Sequence, residues 1–362
     1  MTTVRLLWDV GTAYDLFVSL WILHQPADFG LHRAWAAGVR ARLLPEEREV
    51  LEQSQELVHV PFSWIYTLPE PKDASAVLWT LSQLPARERL QALVAGSDWL
   101  PPTVVDILRG VADRGRWEDS DREALAVAYR DAGSGAETMC SAKRLDSLLD
   151  WWARSEEFGK RYLAALRAYQ DAFFAEEERR IAPALHQGLA RAQELAARLD
   201  LLDLLEELSH GLRFEAVPEV SELVLAPSYW STPLMFFGML GSGREIRLFG
   251  ARPLDASLVP GEVVPDALLQ ALKALSDPTR LRILRYLTQE SLTPAELARR
   301  LRLRAPTVTH HLQALRLAGL VQLKLGLLIA DDGKDSRRYA TRPEGVKEVF
   351  DSLRAFLEKG DN

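Results

Sequence analysis

The tightest constraint on how this chain folds lies near its carboxyl end, where helix starts, a glycine stop and a turn follow one another at short intervals. Asp277 can cap a helix whose first position is Pro278, a place where a missing N–H does no harm. Leu281, Ile283, Leu284 and Leu287 give that helix its apolar side, and Arg280, Arg282 and Arg285 fall mostly outward. Thr293-Pro294-Ala295-Glu296 is a capping box that starts a second, short helix with Leu297, Ala298 and Leu301 inward. Arg302-Leu303-Arg304 reads as a brief turn, and Ala305 to Ala318 as a third helix closed by Gly319. Two helices joined by three or four residues make a helix-turn-helix. Gln322 to Ala330, the turn Asp331-Asp332-Gly333-Lys334 and Ser336 to Thr341 read as a hairpin, or wing, and Pro343 to Lys359 as a last helix.

The third of these helices has two distinct sides. Val308, Leu312 and Leu315 fall within about 40° of one another at 100° per residue and face a core. The opposite side carries Pro306, His310 and Gln313, flanked by Thr307 and Thr309. Such small or planar hydrogen-bonding side chains suit the base edges of a major groove. Arg304 stands just before the helix, in reach of a phosphate or a guanine. Arg316, Lys334, Arg337 and Arg338 are placed for backbone phosphates, which position a module without reading sequence. Charge is distributed to match: from Asp266 onward there are 17 Lys and Arg against 12 Asp and Glu, net +5, while residues 1–265 hold 27 against 39, net −12. An acidic body with a basic terminal module is a layout expected of a nucleic-acid binder with a separate control domain.

The segments Leu275-Ser276-Asp277-Pro278-Thr279-Arg280-Leu281-Arg282-Ile283-Leu284, Ala295-Glu296-Leu297-Ala298, Pro306-Thr307-Val308-Thr309-His310-His311-Leu312 and Ala318-Gly319-Leu320-Val321 agree in order and spacing with a known family. Over residues 266–345 the chain resembles the ArsR-type winged-helix repressors. The resemblance implies a dimeric repressor that binds an imperfect palindrome in double-stranded DNA and is released or engaged by an effector. It also assigns Thr309 and His310 to base or backbone contacts. One departure is Arg304-Ala305, where the family often has Ser-Gln, so the operator of a relative does not carry over. Metal-sensing members have a Cys-x-Cys pair at the start of the helix before the recognition helix, or Asp/His and His/Glu sets on the terminal helix. This chain has Leu292-Thr293-Pro294 at the first place and no His in 343–362. Neither of those metal sites is therefore expected, and the effector implied is a small non-metal molecule bound in the amino-terminal domain.

Before the terminal module the chain reads mostly as helices: Val4 to Trp8 is a short opening strand, followed by apolar-periodic segments near 12–24, 28–42, 46–58, 73–83, 86–96, 102–113 and 120–131. Tyr162, Leu166, Tyr169 and Phe173 share a helix face, Pro183 marks a kink or restart, and Leu185, Leu189, Ala192, Leu195, Leu199 and Leu202 form a further stripe. Glu222 to Ala226, Pro233 to Phe237 and Glu245 to Phe249 read as strands, with Gly241-Ser242-Gly243 as a hairpin turn. The expected fold class is mainly α with minor β. Residues 1–212 form a helical sensor or dimerisation domain and 213–252 a strand segment of the same domain. A Pro/Gly linker spans 253–265, and 266–362 make the winged helix-turn-helix.

Catalytic signatures are missing from the sequence. His24, His32, His59, His186 and His210 have no ligand spacing, and no Gly-x-Ser-x-Gly elbow, Walker loop or dinucleotide fingerprint occurs. No enzyme activity, cofactor or metal is expected. Cys140 is the one cysteine, too few for an intrachain disulfide and in keeping with a reducing cytoplasm. The longest near-apolar run, Tyr229 to Leu240, falls short of the roughly 20 residues a bilayer span needs. All ten Trp precede residue 266; each reads first as core, and as a set they are candidates for lining a small-molecule pocket. The alternatives to a regulator are a winged-helix protein–protein adaptor without DNA contact and an enzyme with an appended winged helix.

Overall fold

Apolar residues recur at intervals of three and four through most of the first half of the chain, and helices result. The computed structural model describes residues 4–358 apart from 28, 30, 32, 56–59, 95–100, 132–141, 210–211, 215, 242, 254–255, 260–263 and 326–336. After β1 (Arg5–Trp8) come α1 (Thr12–His24), α2 (Arg33–Arg40), α3 (Pro45–Ser54), α4 (Phe62–Tyr66), α5 (Ala74–Gln83) and α6 (Ala86–Val94). Next are α7 (Pro102–Arg114), α8 (Asp119–Asp131), α9 (Ala142–Ala153) and α10 (Ser155–Tyr169). A π-helical turn, Gln170–Phe174, joins α10 to α11 (Ala175–Ala196), and α12 (Leu201–Leu208) follows. Strands β2 (Leu212–Phe214), β3 (Glu222–Ser228), β4 (Phe236–Gly241) and β5 (Arg244–Gly250) complete the body. The terminal module, called the reading head below, comprises α13 (Asp266–Leu275), α14 (Pro278–Leu287), α15 (Pro294–Leu301), α16 (Ala305–Leu317), β6 (Val321–Leu325), β7 (Arg338–Thr341) and α17 (Pro343–Glu358). The chain is thus mainly helical, with small sheets and a winged helix-turn-helix at its carboxyl end.

Four strands form one sheet in the order β1-β3-β5-β4. The first three run parallel, with Trp8 opposite Leu225 and Leu225 opposite Arg247, and β4 returns antiparallel to β5. From Leu223 to Ser228 every residue of β3 is buried, as expected of a parallel strand covered on both faces. Successive side chains go to opposite sides. Val224, Ala226, Ile246 and Leu248 join the large core of the helical body, while Leu223, Leu225 and Phe249 join a second core.

That second core contains Leu204, Leu205 and Leu208 of α12 together with Ile283, Leu297, Val308, Leu312 and Leu315 of the reading head. The sheet therefore stands between two cores, the large one of the helical body and a second that α12 shares with the head. A second connection is made through backbone bonds. Strand β2 pairs parallel with β6, Leu212 opposite Leu323, in a sheet of order β2-β6-β7. The base of the wing is thus hydrogen-bonded to a strand that leaves the body directly after α12.

Several sequence expectations are corrected. The strand expected at Pro233–Phe237 begins only at Phe236. Pro233 has no N–H for a ladder, and Leu234 instead donates to the carbonyl of Ser231 at 2.7 Å, closing a turn. Pro183 does not interrupt α11; it lies on the solvent side, where the lost hydrogen bond strands no buried group. The stripe from Leu185 to Leu202 is divided between two helices, because the Asp200 carboxylate accepts from Asp203 N–H at 2.9 Å and caps a new start. Arg280 folds back instead of pointing outward and donates to the carbonyls of Ala274 and Lys273 at the end of α13. The expected hairpin at Gly241–Gly243 is present, with φ of 78° and 73° at the two glycines.

Candidate nucleic-acid interface

Each helix of the reading head starts where its sequence provides for it. Asp277 accepts from Arg280 N–H at 2.9 Å and caps α14. Thr293 and Glu296 form the reciprocal box of α15, with Thr293 N–H donating to Glu296 Oε2 at 2.8 Å and Glu296 N–H to Thr293 Oγ1 at 3.2 Å. Arg302 closes α15 in the left-handed region at φ 57°, turning the chain sharply into Leu303 and Arg304. The N-cap of α16 is Arg304, which makes no side-chain cap bond. The first turn of α16 holds no acidic residue, so its N–H groups and the positive end of its dipole are left for an anion. At the far end Gly319, at φ 67°, lets Leu320 N–H donate back to Leu315 O at 3.0 Å.

The faces of α16 separate as the helical period requires. Val308, Leu312 and Leu315 are fully buried. Pro306, Thr307, Thr309, His310 and Gln313 are exposed, and so is Arg304. Thr309 Oγ1 donates to the carbonyl of Ala305 at 3.1 Å, which holds its hydroxyl against the helix and leaves its methyl outward. The two adjacent histidines diverge. His310 stands in solvent; His311 is half-buried, with its Nδ1 enclosed and unbonded among the described residues. Burial keeps the His311 ring below histidine's usual proton affinity, with the Asp277 carboxylate pulling the other way.

The phosphate candidates lie in different settings. Arg337 is exposed immediately before β7. Arg338 is turned onto the module: it donates to Ser291 O at 2.7 Å and meets Glu296 at 3.2 Å, tying β7 to α15. Arg316 is half-buried near Tyr339 and Arg337, and burial lowers its proton affinity. Lys334 and the wing tip, 331–334, lie outside the described residues. Sequence reading passed over Arg299 and Arg302, which are exposed beside Arg304 around the turn. The basic run Arg299-Arg300-Leu301-Arg302-Leu303-Arg304 was the signal for them.

The described tryptophans divide between core and surface. Trp152 and Trp230 are core residues at 1% exposure, and Trp79 is exposed. Trp99 lies outside the described residues, as do Cys140, His32, His59 and His210. Of the cavities defined by described residues, that between α3, α9 and α10 includes a tryptophan, Trp151. No cluster of three or more His, Cys, Asp or Glu suited to a metal occurs among the described residues.

Residues 275–323 match the family model of a helix-turn-helix domain. The match runs from the end of α13 through both helices of the motif and into β6, the part of the chain whose outward face has just been described. No curated protein and no solved structure matches the chain. The carboxyl-terminal module is thus a helix-turn-helix domain, the kind through which regulators bind DNA. No described helix is long and apolar enough to cross a membrane.

Proposed function

We propose that this protein is a DNA-binding transcriptional repressor of ArsR type that works as a homodimer in the cytoplasm, governed by a small non-metal effector, and that it is not an enzyme. The observation that carries the reading is the second side of α16: five exposed side chains, Pro306, Thr307, Thr309, His310 and Gln313, over a fully buried Val308-Leu312-Leu315 seam. Although the head shares a core with the acidic body, the packed surface is the other side of the helix. His310 and Gln313 serve as base readers in this scheme, and Arg299, Arg302, Arg304 and Arg337 as phosphate contacts.

The homodimer is supported by the terminal helix. Gly345 and Val349 of α17 are buried against their own module, whereas Phe350 and Leu357 on its outer side are exposed. A second copy applied to that stripe would cover it and give two recognition helices, which must enter major grooves about 34 Å apart to read a palindrome. A non-metal effector is favoured by Leu292-Thr293-Pro294 and by the His-free terminal helix, which supply none of the family's metal donors.

The test is duplex binding by the full chain across a salt series. Phosphate contacts release counterions, so the affinity should fall steeply between about 50 and 200 mM salt. A chain that ignores duplex DNA at the low end of that range is not a regulator of this kind.

A further inference from the structure

Two adjoining cavities, of about 250 and 70 Å³, open where the body meets the reading head. The larger is walled by Gln187, Gly188 and Arg191 of α11 and by Glu207 and Leu208 of α12. The apolar part of the smaller one's lining includes Pro233, Leu268, Leu317 and Val349, and its polar part Thr232, Gln270 and Ser352. Arg252, Pro253, Arg342 and Glu348 belong to both.

Arg252 is the unusual member. It is 8% exposed. Its backbone N–H donates to Thr232 Oγ1 and its Nη2 to Thr232 O, each at 3.1 Å, but among the described residues its buried Nη1 has no acceptor. Neighbouring carboxylates are already occupied. Asp266 accepts from Ser257 Oγ and Leu258 N–H, and Glu177 from Arg180 and Trp230. Arg342, across the cleft, is held by both oxygens of Glu348 at 3.0 Å. A buried guanidinium with an unfilled donor and, among the described residues, no carboxylate of its own is costly unless something supplies one.

We propose that this cleft binds a small organic acid, whose carboxylate pairs with the Arg252 guanidinium and whose apolar part lies against Pro233, Leu268, Leu317 and Val349. One unfilled donor, with Glu207 and Glu348 close by, suits a monoanion rather than a phosphate dianion. The binding site stands on its own geometry; its role as the effector site rests on the regulator reading above. The ligand would touch α12, which leads into the strand paired with the wing, and also α16 and α17 of the head. It can thereby favour one body–head arrangement over another.

The experiment uses the full chain, with thermal unfolding and calorimetric titration against butyrate, octanoate and benzoate, and with butyramide and benzamide as uncharged controls. At least one acid should give a saturable stabilisation that its amide does not reproduce. Arg252→Gln should weaken that binding by roughly tenfold or more. Silence from all three acids, or wild-type affinity in Arg252→Gln, overturns the proposal. Should that variant fail to fold, Ala267→Phe narrows the smaller cavity from a half-buried position with Arg252 in place, and undiminished binding there overturns it equally. DNA binding is measured separately without ligand. Salt-dependent duplex binding with no response to acids sinks the cleft and spares the regulator, whereas acid binding without DNA affinity does the reverse.

Discussion

Inside the helical body, Asp9 and Lys72 meet at 2.7 Å with less than a tenth of either side chain exposed, and Tyr14 O–H donates to the same carboxylate at 2.6 Å. Asp15 and Glu177 are as deeply enclosed. In the reading head Arg282, Arg285, Arg299, Arg302 and Arg304 all stand in solvent, and the enclosed residues are almost entirely apolar. The contrast shows how charge is used in each region. These buried carboxylates are satisfied by their own chain, so they fix geometry and are unavailable to partners. An exposed arginine adds little to stability and remains free to meet the charge of another molecule. The same residue types therefore hold the fold in the body and stay exposed to solvent in the terminal module.

The largest effect that follows concerns Asp15. Among the described residues its carboxylate has no counter-ion bridge; it accepts from Ser228 Oγ at 2.7 Å, Tyr229 N–H at 3.1 Å and Trp230 N–H at 2.9 Å, pinning the turn after β3 onto α1. Asp15→Ala strands two backbone donors and a hydroxyl in the core and should cost about 3–5 kcal/mol in a urea melt. A cost under about 1 kcal/mol would break the comparison, because buried charge in the body would then not be structural.

Nearly as large is a pH effect at the same residue. Burial pushes the Asp15 carboxyl up to about 6, against 3.8 for a free aspartate, despite the three donors that favour its charge. A folded-state pKa above the unfolded one means that the native state holds the proton longer. This group's contribution is then best below about pH 4 and is lost as the pH rises through 6. The wild type should lose about 2 kcal/mol relative to Asp15→Asn between pH 4 and 7. A gap that does not change with pH would mean that Asp15 titrates as a surface aspartate.

On the side of the reading head the expected changes are in recognition rather than stability. His310→Ala with Gln313→Ala should leave the melt within about 0.5 kcal/mol of wild type, since both positions are exposed. Discrimination at the bases they meet should fall by about 1–3 kcal/mol each. Selection from a random duplex library measures it. An unaltered preference in the double variant removes this face from the reading role.

The two regions also differed in how far they could be read beforehand. Caps and periodicity are local, so Asp277, Thr293 and Gly319 marked helix ends, and the spacing of Val308, Leu312 and Leu315 oriented α16 without knowledge of any neighbour. Arg338 shows the limit of such reading. Its number of bonds depends on Glu296 and Ser291, which the wing brings alongside, and nothing in its own surroundings in the chain separates it from Arg337. The apolar run of β3 signalled a strand, but not that both its faces are covered or that they serve different cores. The pairing of β2 with β6 joins residues far apart in sequence, and a three-residue strand carries too short a pattern to name its partner. The buried charges of the body were equally hidden, because an aspartate beside Tyr14 in the sequence looks like any helix-surface acid until the partners at Ser228–Trp230 arrive.

The smallest effect sharpens the comparison by asking whether the two regions unfold as one. Thr293→Ala removes the acceptor for Glu296 N–H at the start of α15 and should cost about 1 kcal/mol. Glu296 remains free to meet Arg338, so the wing stays attached and the loss is confined to the cap. If α12, the underside of the sheet and the head's helices share a single core, that small local loss must move the whole unfolding transition, whichever region the probe reports. Fluorescence, dominated by tryptophans that all lie in the body, and far-ultraviolet dichroism should then shift together in Thr293→Ala. If fluorescence stays at the wild-type midpoint while dichroism moves, the head melts by itself, and the core that joins it to the body does not couple the two.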